Sequence, residues 1–389
     1  MAAAGEFGIL FCIVLVSLIG FVVIRTLIGA QQQQSLFARL AASVLAPLEQ
    51  VGDREGARLE DGQVHLPAGF AEAYAAFGRI MSGAASEAEI AAILVALASK
   101  GECAEEIVGA ARAMRDKVTP VRCEADCIDT CGTGGDGIST FNVSTTAAII
   151  AAAAGATVAK HGNRTNSRVS GSAEVLQCLG VNIEASVPVL ERCLRECRIA
   201  FLYAPRLHPA MKYALPVRQA LKVRTIFNLL GPLTNPAGAR RQVIGVPRPE
   251  LTELLADVLR RLGATRAMIV HGADGLCDLT ITGPTRVSEL ADGRIRTYEL
   301  VPEDAGLPRA ELSALIVDSP QASAAAVCEV LAGRSGPRRD HALLNAAAAL
   351  TVAGLCGTLR DGVRLAAEAI DRGAARETLA RLAAMSTAP

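Results

Sequence analysis

The stretch CIDTCGTGGDGISTFNVSTTAAIIAAAAGATVAK (127–160) contains the first signals of the fold class. Residues 127–131 are typical of a short strand, and the glycine-rich run 132–137 excludes both helix and strand. Residues 144–154 form an alanine-rich helix, and residues 156–160 form the next strand. Strands that alternate with helices in this way predict parallel pairing and right-handed crossovers.

The same alternation continues along the chain. A second loop occupies residues 161–171, and Ser172 begins a helix that Gly180 ends. Further strands are predicted at 199–204, 242–246, 267–271 and 294–300, and further helices at 249–262 and 341–353. We therefore expect an α/β fold with a mostly parallel central sheet flanked by helices.

The part of the chain before this region has a helical pattern throughout. Apolar residues recur at helical spacing in four stretches: 35–48, 70–81, 86–99 and 104–114. Ser86 and Glu89 predict a capping box at the start of the third stretch. We expect a smaller N-terminal all-helical domain at 35–118 and an α/β domain at 123–389. Part of 205–235 is expected to pack with the helical domain.

An apolar run near the N-terminus does not fit this pattern. The segment FGILFCIVLVSLIGFVVI (7–24) spans 18 residues without a charge, close to the length that crosses a bilayer. Three interpretations remain open: a single-pass membrane anchor, a signal peptide, and extra residues from a misassigned start. We place the anchor first. Glu6 precedes the run and Arg25 follows it, so an anchor would leave the rest of the chain in the cytoplasm. Residues 1–34 therefore count as a separate segment.

Composition and charge exclude several classes of protein. The 389 residues include 39 basic and 39 acidic side chains, and aromatic residues make up only 3%. A neutral chain with few aromatic rings lacks the basic face or stacking surface that nucleic acids require, so we expect no nucleic-acid partner. The 11 cysteines form no compact disulfide or zinc pattern, which favours reduced thiols in the cytoplasm.

Two loops of the predicted α/β region have the features of anion sites. The loops 132–142 and 161–171 each follow a strand and lead into a helix N-terminus, where free N–H groups and the helix dipole attract anions. In open α/β sheets such loops lie at the carboxyl ends of the strands. Polar and basic side chains accompany them: Asn142, Ser144, Thr145, Lys160, Arg164 and Arg168. Two anion sites one βα unit apart predict a ligand with separated phosphates.

Six motifs, in chain order, resemble those of the anthranilate phosphoribosyltransferases, a branch of the family that includes the pyrimidine nucleoside phosphorylases. They are DTCGTGGDGISTFNVST, KHGNR, GSAEVL, HPAMK, RTIFNLLGPLTNPA and GPTRVSEL. The resemblance runs from about residue 35 to about residue 385 and leaves out the N-terminal apolar run. It implies an enzyme of tryptophan biosynthesis that transfers a phosphoribosyl group from phosphoribosyl pyrophosphate to the amine of anthranilate.

The implied reaction needs no covalent enzyme intermediate. The amine would displace pyrophosphate at C1 through a transition state with oxocarbenium character, assisted by substrate orientation and Mg²⁺. No catalytic side chain is therefore expected, in agreement with a sequence that offers no convincing Ser/His/Asp or Cys/His set. The resemblance also implies a homodimer, because family members often dimerise through the helical domain.

The resemblance further implies a role for individual residues. The phosphoribosyl pyrophosphate site would be lined by Gly132, Gly135, Asp136 and Thr140. Its phosphates or ribose would be held by Asn142, Ser144, Thr145, Lys160 and Ser172. The predicted substrate site also includes the loop residues His161, Gly162, Arg164, Ser167 and Arg168. Anthranilate would be held by Asn163 and Arg218, with His208 and Pro209 along its access path.

The implied metal site departs from the family pattern. Ser144 and the pair Cys277–Asp278 stand at the positions implied to bind Mg²⁺, and the family usually has Asp-Glu at the pair. A neutral thiol is a poor ligand for this hard cation, and Asp274 is the nearby candidate to compensate. Arg168 stands where a phosphate-binding serine is usual, so that it would either pair with phosphate or crowd the loop. Three functions stay open: an active transferase with altered metal dependence, a relative with another acceptor, and a non-catalytic ligand-binding protein.

Overall fold

The structure is a computed structural model that describes residues 69–165 and 168–388. It also describes the backbone of two short strands, β1 (Arg58–Glu60) and β2 (Gln63–His65), which pair antiparallel. Three predicted features lie outside the described residues: the apolar run 7–24, the helix 35–48 and Ser167. Within the described ranges, no helix is both long and apolar enough to cross a bilayer.

The chain forms two compact units. Of the described residues, the first unit takes in those up to Ala110 together with Lys212–Ile226, and the second takes in those from Ala111 to Met211 and from Phe227 onward. Three helices open the described part of the chain: α1 (Phe70–Ser82), α2 (Glu87–Lys100) and α3 (Ala104–Arg115). These helices confirm the predicted stretches that begin at residues 70, 86 and 104, with ends that differ by one residue.

Local signals in the sequence begin and end these helices. The Ser86 hydroxyl accepts a hydrogen bond from Glu89 N at 3.3 Å, and Glu89 Oε2 accepts one from Ser86 N at 2.6 Å, so the predicted capping box is confirmed. Helix α1 ends at Gly83, whose φ of 76° is left-handed. Gly109 lets α3 approach α1 closely, because a Cβ there would lie 2.6 Å from the carbonyl oxygen of Phe70.

The second unit is built on a single sheet. Its strands are β3 (Ile128–Gly132), β4 (Val158–Gly162), β5 (Ile199–Tyr203), β6 (Arg241–Gly245), β7 (Arg266–Gly272), β8 (Thr285–Ala291) and β9 (Arg294–Leu300). Within the described residues these seven strands lie in the order β5–β4–β3–β6–β7–β8–β9. The first five in that order pair in parallel, and β8 and β9 are antiparallel. The predicted, mostly parallel sheet is confirmed.

The sequence interpretation misses strand β8. Asp292 and Gly293 join β8 to β9, and their φ angles of 51° and 73° suit a two-residue hairpin turn. An Asp-Gly pair between two runs of strand-forming residues is the sequence signal for such a hairpin. Because a two-residue turn joins only antiparallel strands, this edge of the sheet departs from the parallel order.

Helices pack against the strands of the second unit. Five helices contact these strands: α4 (Val143–Ala153), α6 (Val187–Cys197), α7 (Ala204–Leu207), α10 (Glu250–Arg261) and α12 (Pro337–Ala353). The other helices of this unit are α5 (Ser172–Cys178), α9 (Phe227–Leu230), α11 (Pro320–Leu331), α13 (Leu359–Asp371) and α14 (Ala374–Thr387), and α8 (Leu215–Leu221) belongs to the first unit. The alanine-rich α4 and α12 pack together, and their alanines Ala148 and Ala346 are fully buried. Small side chains let these helices and the sheet form a dense core.

The end of β6 lies against a turn of the chain that contains Cys277. A Cβ at Gly245 would lie 1.6 Å from the carbonyl oxygen of Cys277 and 2.4 Å from its carbonyl carbon. The carbonyl of Gly245 also accepts a hydrogen bond from Thr133 N at 2.9 Å. Only glycine at position 245 lets the carboxyl end of β6 contact both the glycine-rich loop and the turn that contains Cys277.

We predict that Gly245→Ala lowers the free energy of unfolding by about 3 kcal/mol, because the added methyl group must displace backbone rather than a flexible side chain. Urea unfolding followed by far-ultraviolet circular dichroism measures the effect. Gly231→Ala is the control: a Cβ there meets no atom within 4 Å, so we expect a change within about 0.5 kcal/mol. Equal stabilities of the two variants would contradict the close packing at Gly245.

Candidate active site

The glycine-rich loop 132–142 connects the end of β3 to the start of α4. Gly134, Gly135 and Gly137 have φ angles of 64°, 89° and 71°, in the left-handed region that favours glycine. The predicted site residue Gly135 therefore lies in a sharply turning backbone. Such a backbone can present its N–H groups to an anion beside a helix N-terminus. Gly132, in contrast to the sequence expectation, is the last residue of β3 and pairs with Gly245.

Hydroxyl and amide groups surround the first turn of α4. Asn142 caps the helix, since its Oδ1 accepts from Thr145 N at 3.0 Å and from the Ser144 hydroxyl at 3.3 Å. Among the described residues, the buried hydroxyl groups of Thr140, Thr145 and Ser170 have no hydrogen-bond partner. Buried polar groups are nearly always paired, so these three unpaired hydroxyls are candidates for contacts with a polar ligand.

The side chain of Lys160 lies under this helix start. The residue is only 2% exposed, and its Nζ donates to the carbonyl oxygen of Thr130 and, at 3.3 Å, to the Ser144 hydroxyl. Burial lowers the pKa of Lys160, and the charge of Asp129 opposes that shift. The predicted residues Ser144 and Lys160 are thus in direct contact, in a place where a cation can attract phosphate.

Asp129 is a site residue that the sequence interpretation does not identify. Its Oδ1 accepts from His161 N at 3.0 Å, and its Oδ2 accepts from Asn235 Nδ2 at 2.8 Å. Burial raises the pKa of Asp129 to about 6, against the charge of Lys160 and the hydrogen bond from Asn235. The signal for Asp129 is its charge within an otherwise uncharged strand, one βα unit before the strand that ends in Lys160.

Two buried histidines form a pair beside Lys160. His161 Nδ1 lies 3.0 Å from the carbonyl oxygen of Gly231, which only accepts, so Nδ1 carries the proton. His161 Nε2 then accepts from His208 Nε2 at 3.1 Å. Burial lowers the pKa of His161 to about 3 and that of His208 to about 4. Both rings are therefore neutral near pH 7 and join three segments of the chain.

The second loop positions several of the predicted residues at the start of α5. The Ser172 hydroxyl donates to the carbonyl oxygen of Asn163 at 3.3 Å, and Gly162 leaves room for it, because a Cβ there would lie 2.4 Å from that hydroxyl. Arg164 instead donates to the Tyr203 hydroxyl at 3.3 Å and to Gln177 Oε1 at 2.9 Å. The Arg164 side chain is thus hydrogen-bonded to two other side chains of the protein.

Arg168 connects the second loop to the first. Its guanidinium group donates from Nε and Nη2 to the two carboxylate oxygens of Asp136. The Asp136 side chain is fully buried, and its Oδ2 also accepts from Cys277 N at 3.1 Å. The structure therefore brings the predicted residues Asp136, Arg168 and Cys277 together, and Arg168 contacts the carboxylate of Asp136.

The turn at residues 274–278 carries the candidate metal ligands. Asp278 is buried; burial raises its pKa to about 6, against the charges of Arg168 and Lys160. Asp274 accepts hydrogen bonds from Leu276 N and from the hydroxyls of two nearby threonines at 2.6 and 2.8 Å. Asp274 therefore holds the turn together, and its charge also acts on Asp278.

Two further predicted site residues, Pro209 and Arg218, belong to neither of the two loops nor to the 274–278 turn. Arg218 is on α8 in the first unit, and burial lowers the pKa of its guanidinium group. Pro209 begins the short 3₁₀ turn Pro209–Tyr213, directly after His208.

Both parts of the chain match models of known families. Residues 124–376 match the α/β domain of a glycosyl transferase family, and residues 67–118 match the helical bundle domain of a glycosyl transferase family. The chain is 53% identical over 317 residues to an anthranilate phosphoribosyltransferase of Anaeromyxobacter sp. (strain Fw109-5), with 81% of this chain and 94% of that protein covered. The chain belongs to the anthranilate phosphoribosyltransferase family.

Solved structures of anthranilate phosphoribosyltransferases share this fold. The enzyme from Thermus thermophilus is 43% identical, with a TM-score of 0.78, over 82% of this chain and 96% of that chain. The enzyme from Saccharomyces cerevisiae in complex with phosphoribosyl pyrophosphate and Mg is 28% identical, with a TM-score of 0.74, over 82% of this chain and 93% of that chain. The family expected from the sequence motifs is confirmed.

The residues present fit a Mg²⁺ ion that is held largely by a phosphorylated substrate. Within the part of the chain that the structure describes, no three His, Cys, Asp or Glu side chains are grouped to hold a metal. Asp278 supplies a buried carboxylate at the turn. Mg²⁺ sites commonly use one or two carboxylates, several waters and substrate phosphates. Asp278 and the Ser144 hydroxyl match that donor set, whereas the Cys277 thiol does not.

We predict that the buried histidine pair makes the protein less stable in acid. The pKa of His208 is about 4 in the folded state, below its ordinary value of 6.5, so the unfolded state binds the proton more readily. The contribution of neutral His208 to the free energy of unfolding is fully present above pH 6.5 and is lost as the pH falls towards 4. Between pH 7 and pH 5 the loss is about 2 kcal/mol.

His208→Gln tests this prediction, because glutamine keeps an N–H donor for His161 and does not titrate. The free energy of unfolding in urea is measured for both proteins at several pH values. The wild-type value minus the variant value should fall by about 2 kcal/mol from pH 7 to pH 5. Parallel curves would show that His208 is not held neutral in the folded state.

Proposed function

We propose that this chain is an anthranilate phosphoribosyltransferase that uses phosphoribosyl pyrophosphate as donor and releases pyrophosphate. The observation that carries the proposal is the buried Lys160 in contact with the Ser144 hydroxyl, at the helix start into which the glycine-rich loop leads. This arrangement supplies N–H groups, hydroxyls and a positive charge at one sheet edge, which is what a diphosphate requires.

The proposed catalysis depends on binding and orientation. The backbone of Gly132 and Gly135 and the side chains of Asn142, Thr145 and Ser172 would hold the donor. Lys160 would stabilise the negative charge that pyrophosphate gains as the bond at C1 breaks. Holding the amine in line with that bond turns an encounter of two substrates into a reaction within one complex. No protein side chain needs to become bonded to the ribose.

Mg²⁺ completes the proposed donor site. When bound, it neutralises the diphosphate and makes pyrophosphate a better leaving group. Asp278 and the Ser144 hydroxyl are the protein groups that we propose as its ligands, with Cys277 at the position of a usual carboxylate. The side chains of His161, Arg164, Ser167 and Arg168, together with Gly162 and Asp136, complete the proposed substrate loops.

Anthranilate is the proposed acceptor. Arg218 would bind its carboxylate through a charge-assisted hydrogen bond, and Asn163 would bind its amine or ring edge. His208 and Pro209 would line its access path. The alternative acceptor that the sequence leaves open would require a different partner for Arg218.

The remaining features expected from the sequence are proposals as well. We propose a cytoplasmic catalytic body and a homodimer formed through the helical domain. The run 7–24 is proposed as a membrane anchor that leaves this body in the cytoplasm. The proposed domain division is 1–34, 35–118 and 123–389.

We predict that the full chain consumes anthranilate only when phosphoribosyl pyrophosphate and Mg²⁺ are both present, with one pyrophosphate released per anthranilate. Anthranilate fluorescence measures the consumption of anthranilate, and a coupled assay measures the release of pyrophosphate. Arg218→Ala should raise the KM for anthranilate about 10- to 100-fold, because a charge-assisted bond is lost, and leave the KM for the donor nearly unchanged. Arg240→Ala, at an exposed arginine, is the matched control. Donor binding without loss of anthranilate would favour another acceptor.

The thiol at position 277 favours the alternative of a non-catalytic, ligand-binding relative with weak metal binding. A double substitution at positions 277 and 278 distinguishes this alternative from the active transferase. We predict that Cys277→Asp with Asp278→Glu lowers the Mg²⁺ concentration for half-maximal activity about tenfold, because it adds a hard oxygen ligand. Cys277→Ser is the control that removes the thiol and adds no charge. An unchanged Mg²⁺ dependence would mean that the metal does not depend on this turn.

A further inference from the structure

The backbone of the turn that carries Asp278 lies outside the strands and is held largely by side chains. The N–H groups around Asp278 donate to side-chain oxygens at 3.0 to 3.1 Å: Leu276 to Asp274, Cys277 to Asp136, Leu279 to Asn345 and Thr280 to Thr285. Buried backbone groups need such partners because water does not reach them. The position of Asp278 therefore depends on the side chains that hold its neighbours.

Two side chains of α12 hold the residue that follows Asp278. Asn345 Oδ1 accepts from Leu279 N at 3.1 Å, and Asn345 Nδ2 donates to the Leu279 carbonyl oxygen at 2.9 Å. His341 Nε2 donates to the same carbonyl oxygen at 2.9 Å. The N–H and the C=O of Leu279 are thereby both fixed by one helix.

These contacts are buried within a helix that is otherwise rich in alanine and leucine. Leu279 and His341 are fully buried, and Asn345 is buried as well. Asn345 Nδ2 also donates to the His341 carbonyl oxygen at 2.9 Å, so the oxygen and the nitrogen of this amide are both engaged. A buried amide that makes its hydrogen bonds specifies one arrangement of the groups around it.

His341 also contacts the glycine-rich loop. Its ring lies edge-on to the Phe141 ring, with the ring centroids 6.1 Å apart and an interplanar angle of 78°. Phe141 directly precedes Asn142, whose side chain accepts from the Ser144 hydroxyl. Helix α12 thus contacts the chain next to both Ser144 and Asp278, the two protein groups proposed to bind Mg²⁺.

We propose that Asn345 and His341 are positioning residues for the metal site, because they fix the backbone of Leu279 and so hold Asp278 in place relative to Ser144. This inference rests on the proposed function, in which Asp278 and Ser144 bind Mg²⁺. A purely structural role would change the stability of the protein and leave the metal affinity of the folded state unchanged. The test measures binding alone, so an inactive enzyme or a different acceptor does not affect it.

Binding of pyrophosphate to the full chain, with Mn²⁺ or with EDTA, tests the proposal by titration calorimetry. Asn345→Ala should lower the affinity for pyrophosphate with Mn²⁺ about tenfold, because a group that orients a metal ligand is lost. The affinity for pyrophosphate in EDTA should stay nearly unchanged, since Asn345 does not hold the donor loops.

A double-mutant cycle separates positioning from a general loss of structure. In the Asp278→Asn background, Asn345→Ala should cause no further loss of affinity, because no carboxylate remains to be positioned. His341→Leu should weaken binding in the same way, and His341→Gln, which keeps an N–H donor for Leu279, should restore it. This second pair tests the proposal if Asn345→Ala does not fold.

Thr351→Val is the matched control on the same helix. The Thr351 hydroxyl donates to the Ala347 carbonyl oxygen at 2.9 Å within α12, so its loss should leave both affinities unchanged. Far-ultraviolet circular dichroism verifies that each variant is folded at the temperature of the titration.

Three results would overturn the inference. In the first, folded Asn345→Ala or His341→Leu binds pyrophosphate with Mn²⁺ as tightly as the wild type. In the second, the affinity in EDTA falls equally, so the effect does not concern the metal. In the third, the losses from Asn345→Ala and Asp278→Asn add in the double variant. A wild type that binds pyrophosphate neither with Mn²⁺ nor in EDTA would overturn the proposed donor site as well.

Discussion

Burial of the Lys160 ammonium group at the carboxyl end of the parallel sheet is the constraint on which the rest of the site depends. A charge removed from water needs compensating groups, and Lys160 has the Thr130 carbonyl, the Ser144 hydroxyl and the charge of Asp129. Asp129 in turn accepts from the backbone of His161. Two strand ends and the start of α4 are thereby held around one buried positive charge.

Glycine residues make this close arrangement sterically possible. A Cβ at Gly245 would overlap the Cys277 carbonyl, and one at Gly162 would overlap the Ser172 hydroxyl. Both positions lie at strand ends, where loops from other parts of the chain pass over the sheet edge. Gly162 and Gly245 therefore allow close contact between segments that are distant in sequence, whereas the glycines of the 132–137 loop allow the backbone to turn.

The start of α4 and the acidic turn differ in how they fit the expected site. At the start of α4, the buried Lys160 contacts the Ser144 hydroxyl, and both are residues that the sequence predicts for phosphate binding. At the turn, a thiol replaces a usual carboxylate, and an arginine from the second loop contacts Asp136. The charges near the turn thus come from loops that are far apart in sequence. A change of charge on one loop therefore alters the electrostatic environment of the other.

The sequence by itself determined the α/β class, the first-unit helices, the capping box at Ser86 and the two loops of the donor site, because periodicity, caps and glycine runs are local signals. It also determined the family, through motifs that stand in chain order. Only the tertiary structure decided the partners of the charged side chains. Asp274 hydrogen-bonds to threonine hydroxyls of its own turn, and Arg168 of the second loop contacts Asp136 of the first. Such pairings join residues on separate loops, and their positions depend on how the sheet edge is packed.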